Sequence, residues 1–112
     1  MSLSVILAAA MALQAGTSVV LNWHAPAKSP EAVVGYNVYR QDGPSSGWVK
    51  INTSLVHTAR YKDETVQRGH SYSYYIRSVD AKGNESAGSS PWTVKIPKKA
   101  KRNLKEAKQT SR

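Results

Sequence analysis

Apolar residues recur with a period of two across residues 17–97, and no run of ten or more residues there has a helical period. In TSVVLNWHAP, one face carries Val19, Leu21 and Trp23. The alternation returns in VGYNVYR, SYSYYIRSVDA and PWTVKIP, with turn-forming stretches such as QDGPSSG between them. Short strands separated by turns indicate an all-β sandwich or barrel.

The composition fits one β-domain with a modest core. The chain has 112 residues, the usual size of a single domain. It lacks Phe but has three Trp and six Tyr, which suit half-buried strand positions. The absence of Cys rules out a disulfide framework and a thiol nucleophile. The residues predicted to form the core are Trp23, Tyr36, Val38, Tyr72, Tyr74 and Ile76.

The sequence divides into an apolar leader (residues 1–16), a β-domain (residues 17–97) and a basic tail (residues 98–112). Leu3 to Leu13 is apolar apart from Ser4, too short for a membrane-spanning helix but suited to a secretory signal. Ala10-Met11-Ala12 resembles a cleavage site, although no Lys or Arg precedes it. We therefore predict an extracellular or cell-envelope protein. The alternative is that the leader is a strand or short helix of a cytoplasmic protein.

The net charge of +9 is concentrated in the tail, which has one acid, Glu106. Its seven basic residues are Lys98, Lys99, Lys101, Arg102, Lys105, Lys108 and Arg112. With so little apolar content the tail is predicted not to fold alone. It is interpreted either as a solvated extension or as a sequence-independent binder of an anionic polymer, such as nucleic acid.

Four landmarks in the expected order resemble the fibronectin type III family. LNWHAP resembles the second strand, with Trp23 at the centre of the core, and VGYNVYR resembles the third strand. VQRGHSY resembles the corner before the sixth strand, and SVDAKGNESAGSSP resembles the end of that strand with its loop. The resemblance implies an immunoglobulin-like sandwich of about seven strands in two antiparallel sheets. It also implies that the Tyr72 hydroxyl bonds to nearby backbone.

Two features depart from the family pattern. A recognisable first strand is missing, and the leader occupies its place, so either the leader supplies that strand or one edge is incomplete. The integrin-binding RGD tripeptide is also absent. The matching loop contains Lys82, Gly83, Asn84 and Glu85, which we predict as a partner-binding loop.

No constellation of catalytic or metal-binding residues emerges from the sequence. His24, His57 and His70 lie at separate strand ends or loops, where exposed histidines are more common than metal ligands. The one adjacent acid pair, Asp63-Glu64, follows a predicted strand, where turn-forming acids are common. We expect no enzyme activity, cofactor, metal or small-molecule substrate.

The leading hypothesis is a non-catalytic adhesion, spacer or binding module that recognises a protein or polysaccharide at a cell surface. Its binding surface would be loops or one sheet face, where Tyr39, Trp48 and Tyr75 are predicted to point outward. Ordinary cross-strand pairing on the solvent face is the favoured explanation of these rings. The alternatives are an intracellular or virion protein that holds nucleic acid with its tail, and a passive spacer within a carbohydrate-active enzyme.

Overall fold

The protein is described from a computed structural model that covers residues 6–15, 17–25 and 32–98. Seven strands and no helix lie in these ranges. The strands are β1 (Ile6–Ala15), β2 (Ser18–His24), β3 (Val33–Asp42), β4 (Trp48–Lys50), β5 (Arg60–Asp63), β6 (Ser71–Asp80) and β7 (Trp92–Lys95). It follows that this part of the chain has no helix that could span a bilayer.

The strands form two antiparallel sheets, as the sequence predicts. One has the order β1-β2-β5 and the other the order β4-β3-β6-β7. β1 consists of residues that the sequence allowed to be either a cleaved leader or a first strand. In the folded chain it pairs with β2 from Ile6↔His24 to Ala15↔Ser18. β7 is an edge strand, and Pro91 and Pro97 flank it, which limits pairing with another chain.

The core lies between the sheets and contains every residue predicted for it. Trp23 meets Tyr36 edge to face across the sheets, with ring centroids 5.3 Å apart. All six predicted core residues are buried, namely Trp23, Tyr36, Val38, Tyr72, Tyr74 and Ile76. The backbone hydrogen bond implied for the Tyr72 hydroxyl is also present, because the Gln67 amide donates to the hydroxyl oxygen at 2.8 Å.

A charged pair of Arg40 on β3 and Asp63 on β5 joins the two sheets, and the sequence did not predict it. Asp63 is buried at the end of β5, and its Oδ2 accepts hydrogen bonds from Arg40 Nη1 at 2.9 Å and the Tyr74 hydroxyl at 2.7 Å. Its Oδ1 accepts from the Thr65 amide and hydroxyl, so it does turn the chain as predicted. Burial alone would raise the pKa of Asp63, but the hydrogen bonds from Thr65, Tyr74 and Arg40 outweigh it and lower that pKa.

Candidate functional site

The outer face of the four-stranded sheet, directed away from the other sheet, carries a cluster of aromatic rings. Tyr39 on β3 and Tyr75 on β6 are paired in register, and their rings stack with centroids 4.9 Å apart and planes 10° apart. Trp48 on edge strand β4 meets Tyr75 edge to face at 4.7 Å. The alternation of β6 explains the placement, because Tyr74 and Ile76 point into the core and Tyr75 therefore points out.

A cation and a carboxylate hold this aromatic cluster in place. The Arg77 guanidinium lies 5.2 Å from the Tyr75 ring centroid and 5.6 Å from that of Tyr39. Glu85 Oε2 accepts hydrogen bonds from the Tyr39 hydroxyl and from Asn37 Nδ2, both at 2.6 Å. Glu85 Oε1 is 3.9 Å from Arg77 Nε. The positions of Tyr39 and Tyr75 are thus fixed by polar contacts as well as by ring packing.

These contacts shift the pKa values of both partners of the Tyr39–Glu85 hydrogen bond. Burial, followed by the hydrogen bond to Glu85, raises the pKa of Tyr39 to about 12. Burial alone would raise the pKa of Glu85, but hydrogen bonds from Tyr39 and Asn37 and the charge of Arg77 lower it overall. At neutral pH the Glu85 carboxylate is therefore ionised and the Tyr39 phenol is protonated. The phenol can then donate the hydrogen bond that the carboxylate accepts.

Asn52 anchors the polar network from the interior. Its Oδ1 accepts from the Val38 amide at 2.8 Å, and its Nδ2 donates to Asn37 Oδ1 at 2.9 Å and to the Ser54 carbonyl. Asn52 begins the triplet Asn-Thr-Ser, a glycosylation pattern, yet it is only 5% exposed. In the folded domain it is a structural residue, not an acceptor for a glycan.

The predicted partner-binding loop is a tight turn organised by Asp80. The Asp80 carboxylate accepts from the Lys82 and Asn84 amides, both at 2.9 Å, and from Asn84 Nδ2 at 3.2 Å. Gly83 has φ +87°, a conformation that favours glycine. Lys82, Gly83 and Asn84 are exposed at the turn, whereas the Glu85 carboxylate turns back onto the outer face. A hollow of about 170 Å³ lies beside the turn, lined by Ala32, Asp80, Ala81, Lys82 and Asn84.

Residues 85–89 continue from this turn along the C-terminal half of β6. Glu85 forms an isolated antiparallel β-bridge with Val79. The amides of Ser86 and Ser89 donate to the carbonyls of Ser78 and Ile76, respectively. Gly88 packs on Tyr75 so closely that a Cβ at this position would lie 2.8 Å from the ring. The segment thus covers the edge of β6 that β7 does not reach, and it supports one side of the aromatic cluster.

The remaining candidates are not brought together. His24 and His57 are exposed, and His70 Nδ1 lies 2.9 Å from Asp42 Oδ1. In the described ranges no group of three or more His, Cys, Asp or Glu side chains could hold a metal ion. Lys98 is exposed. The other predicted anion-binding residues fall outside the described residues, namely Lys99, Lys101, Arg102, Lys105 and Lys108.

Among known protein families, the model of the fibronectin type III domain matches residues 10–95 of this chain. The chain belongs to the fibronectin type III family. The match includes part of β1, whereas the four landmarks quoted from the sequence all lie after β1.

Known relatives place this fibronectin type III domain beside bacterial and animal modules. An amylopullulanase of Thermoanaerobacter thermohydrosulfuricus is 32% identical over 69 residues, which are 62% of this chain and 5% of that enzyme. The structure of an Fn3-like protein from Clostridium thermocellum has a TM-score of 0.60 and 25% identity, covering 89% of this chain and 92% of that one. The third fibronectin III domain of human KIAA0343 protein has the same fold, with a TM-score of 0.71, 17% identity and coverage of 92% and 89%.

Proposed function

We propose that this fibronectin type III domain is a non-catalytic binding module whose partner docks on the outer face of the four-stranded sheet. The observation that carries the proposal is the aromatic cluster of Tyr39, Trp48 and Tyr75, fixed by Arg77 and Glu85 on a face that covers no core. Aromatic rings already held in place lose little conformational freedom when a ligand binds, which favours affinity.

The alternative role of a passive spacer is supported by the match to an amylopullulanase, of which the matched segment is only 5%. A spacer needs a stable fold but no organised surface. The two roles therefore differ in whether the outer face has a partner.

Binding to a panel of immobilised polysaccharides and purified secreted proteins separates the two roles. We expect the wild type to retain a panel member that the double variant Trp48→Ala/Thr93→Arg loses, because these changes alter both edges of the outer face. Lys62→Ala is the matched control, because Lys62 is half-exposed on β5 of the other sheet. A partner lost only on Lys62→Ala contradicts the proposed surface, and a folded protein without any partner supports the spacer.

We further propose that the module acts outside the cytosol. The apolar run from Leu3 to Leu13 and the Ala10-Met11-Ala12 site support export. Because β1 contains Ile6–Ala15, cleavage after Ala12 would remove most of that strand and expose the edge of β2. The intact mass of protein recovered from cytosol, envelope and medium tests this. A product outside the cytosol supports export, whereas a full-length product confined to the cytosol contradicts it.

The second candidate function is sequence-independent binding of nucleic acid by the tail. It is supported by the charge distribution, since seven of the sixteen Lys and Arg residues lie in residues 98–112. Each phosphate neutralised on duplex DNA contributes a log–log salt slope of about −0.9. Replacing the tail cations by Gln should abolish both the binding and its salt dependence. Equal DNA binding by this variant and the wild type would show that the tail is not the DNA-binding segment.

A further inference from the structure

The outer face contains one row of residues that crosses all four strands without a charged side chain. Trp48 on β4 pairs with Gln41 on β3, Gln41 pairs with Ser73 on β6, and Ser73 pairs with Thr93 on β7. Three spacings between strands of roughly 4.8 Å give this cross-strand row a length of roughly 14 Å. Its members share a face because directly paired residues point to the same side of a sheet.

Each polar member of the row has hydrogen-bonding capacity left for a ligand. Gln41 donates one N–H to the Ser46 carbonyl, and a primary amide has a second donor and an acceptor oxygen. The Ser73 and Thr93 hydroxyls lie 2.7 Å apart and share one hydrogen bond. A pair of hydroxyls has a second proton and further lone pairs to offer. The row therefore combines an aromatic ring with neutral donors and acceptors.

Trp48 is the ring that a ligand can reach. Trp48 is 38% exposed, whereas Tyr39 and Tyr75 are partly buried and stack on each other. Its contact with Tyr75 fixes the orientation of the indole before any ligand binds. Val49, which is 61% exposed, pairs with Arg40 and so belongs to the opposite side of β4. Trp48 is thus the most exposed ring of the aromatic cluster.

We infer that the cross-strand row binds a neutral polysaccharide. A pyranose ring has a C–H face that packs on an indole and hydroxyls at its rim that exchange hydrogen bonds with amides and alcohols. A protein partner would need a broader apolar centre, because stable protein interfaces bury about 800 Å² on each side. The Glu85 carboxylate on this face already accepts hydrogen bonds from Asn37 and Tyr39.

The inference rests on the proposed function and specifies its ligand. The match to an amylopullulanase, an enzyme whose name refers to pullulan, selects the probe. An acidic polysaccharide is the competing ligand, because Lys50 and Lys95 lie in the two rows beside the cross-strand row.

The test is a fluorescence and calorimetric titration of the full chain with soluble pullulan, repeated with polygalacturonate. We expect wild type to bind pullulan with little dependence on salt, and Trp48→Ala to weaken the binding at least tenfold. Trp48→Phe, which keeps a ring, should stay within about threefold, and Val49→Ala, the exposed neighbour on the other side of β4, within about twofold. Unfolding in urea verifies that each variant is folded.

Three outcomes would overturn the inference: no binding of pullulan by wild type, equal binding by Trp48→Ala, or a preference for polygalacturonate that salt abolishes. The panel experiment tells these failures apart from failure of the proposed function. If Trp48→Ala/Thr93→Arg still loses another panel member, the outer face remains a binding surface and only the ligand class is wrong.

Discussion

Asp63 is the residue at which burial and charge oppose each other in the core. The unfolded carboxyl titrates near pH ~3.9. Because folding lowers its pKa, its stabilisation is complete above that pH and is lost as the pH falls through the folded value. Asp63→Asn should reduce the free energy of unfolding at pH 7 by roughly 2–4 kcal/mol, since it leaves Arg40 without its counter-charge.

Urea titrations between pH 7 and pH 3 measure both effects. The loss of stability below pH ~3.9 should be shallower in Asp63→Asn than in wild type. Glu64→Gln, at the adjacent exposed position, controls for the same change in net charge. If the two variants have the same acid dependence, the pKa of Asp63 is not lowered by folding.

Tyr72 tests the corner that precedes β6. Tyr72→Phe leaves the Gln67 amide without its acceptor, so the free energy of unfolding should fall by about 1–3 kcal/mol. Tyr61→Phe is a matched control, because the hydroxyl of Tyr61 makes a longer bond of 3.4 Å to the Ile51 carbonyl. Chemical denaturation compares the two, and an equal loss would mean that the corner hydrogen bond contributes nothing specific.

Strand β2 contributes an indole, that of Trp23, which packs on a ring of the opposite sheet. Trp23→Ala should lower the free energy of unfolding by roughly 3–5 kcal/mol, because it empties the space against Tyr36. Val20→Ala, on the opposite side of the same strand, should cost much less. A urea midpoint unchanged by Trp23→Ala would contradict the placement of Trp23 in the core.

The segment of residues 85–89 depends on serine side chains as well as on backbone pairing. Ser86 Oγ accepts from the Ser78 amide and Ser89 Oγ from the Ile76 amide, both at 2.9 Å. In Ser86→Ala and Ser89→Ala these amides should exchange with deuterium faster than in wild type, while the amide of Tyr72, which lies opposite β7, should keep its rate. Unchanged exchange at Ser78 and Ile76 would show that the hydroxyls do not hold the segment.

Across the whole molecule, the period of two predicted strands β2 to β7 and the inward faces of the longer ones. The division into two sheets was implied by the family resemblance, and the sequence left β1 open. It did not identify the partners of inward charges. Tyr36, Val38 and Arg40 share one face of β3, so Arg40 had to point inward and required a counter-charge. That signal could have predicted a buried acid, but not that Asp63 provides it, because this depends on how the sheets pack.

The outer face was only partly predictable for the same reason. Alternation predicted that Tyr39, Trp48 and Tyr75 point outward, and cross-strand register then brought them into contact. The contact of Glu85 with Tyr39 could not be predicted, because the two residues are 46 positions apart and a turn returns the carboxylate to the sheet. Whether loop residues 82–85 bind a partner stays a prediction.

We propose that the ligand binds on the outer face of the four-stranded sheet. Backbone and indole N–H chemical shifts of the full chain, recorded during a pullulan titration, test it most directly. We expect the largest changes at Gln41, Trp48, Ser73 and Thr93, with little change at Lys62 on the other sheet. Changes confined to residues 82–84 or to residues 98–112 would contradict it and would place binding in the loop or the tail.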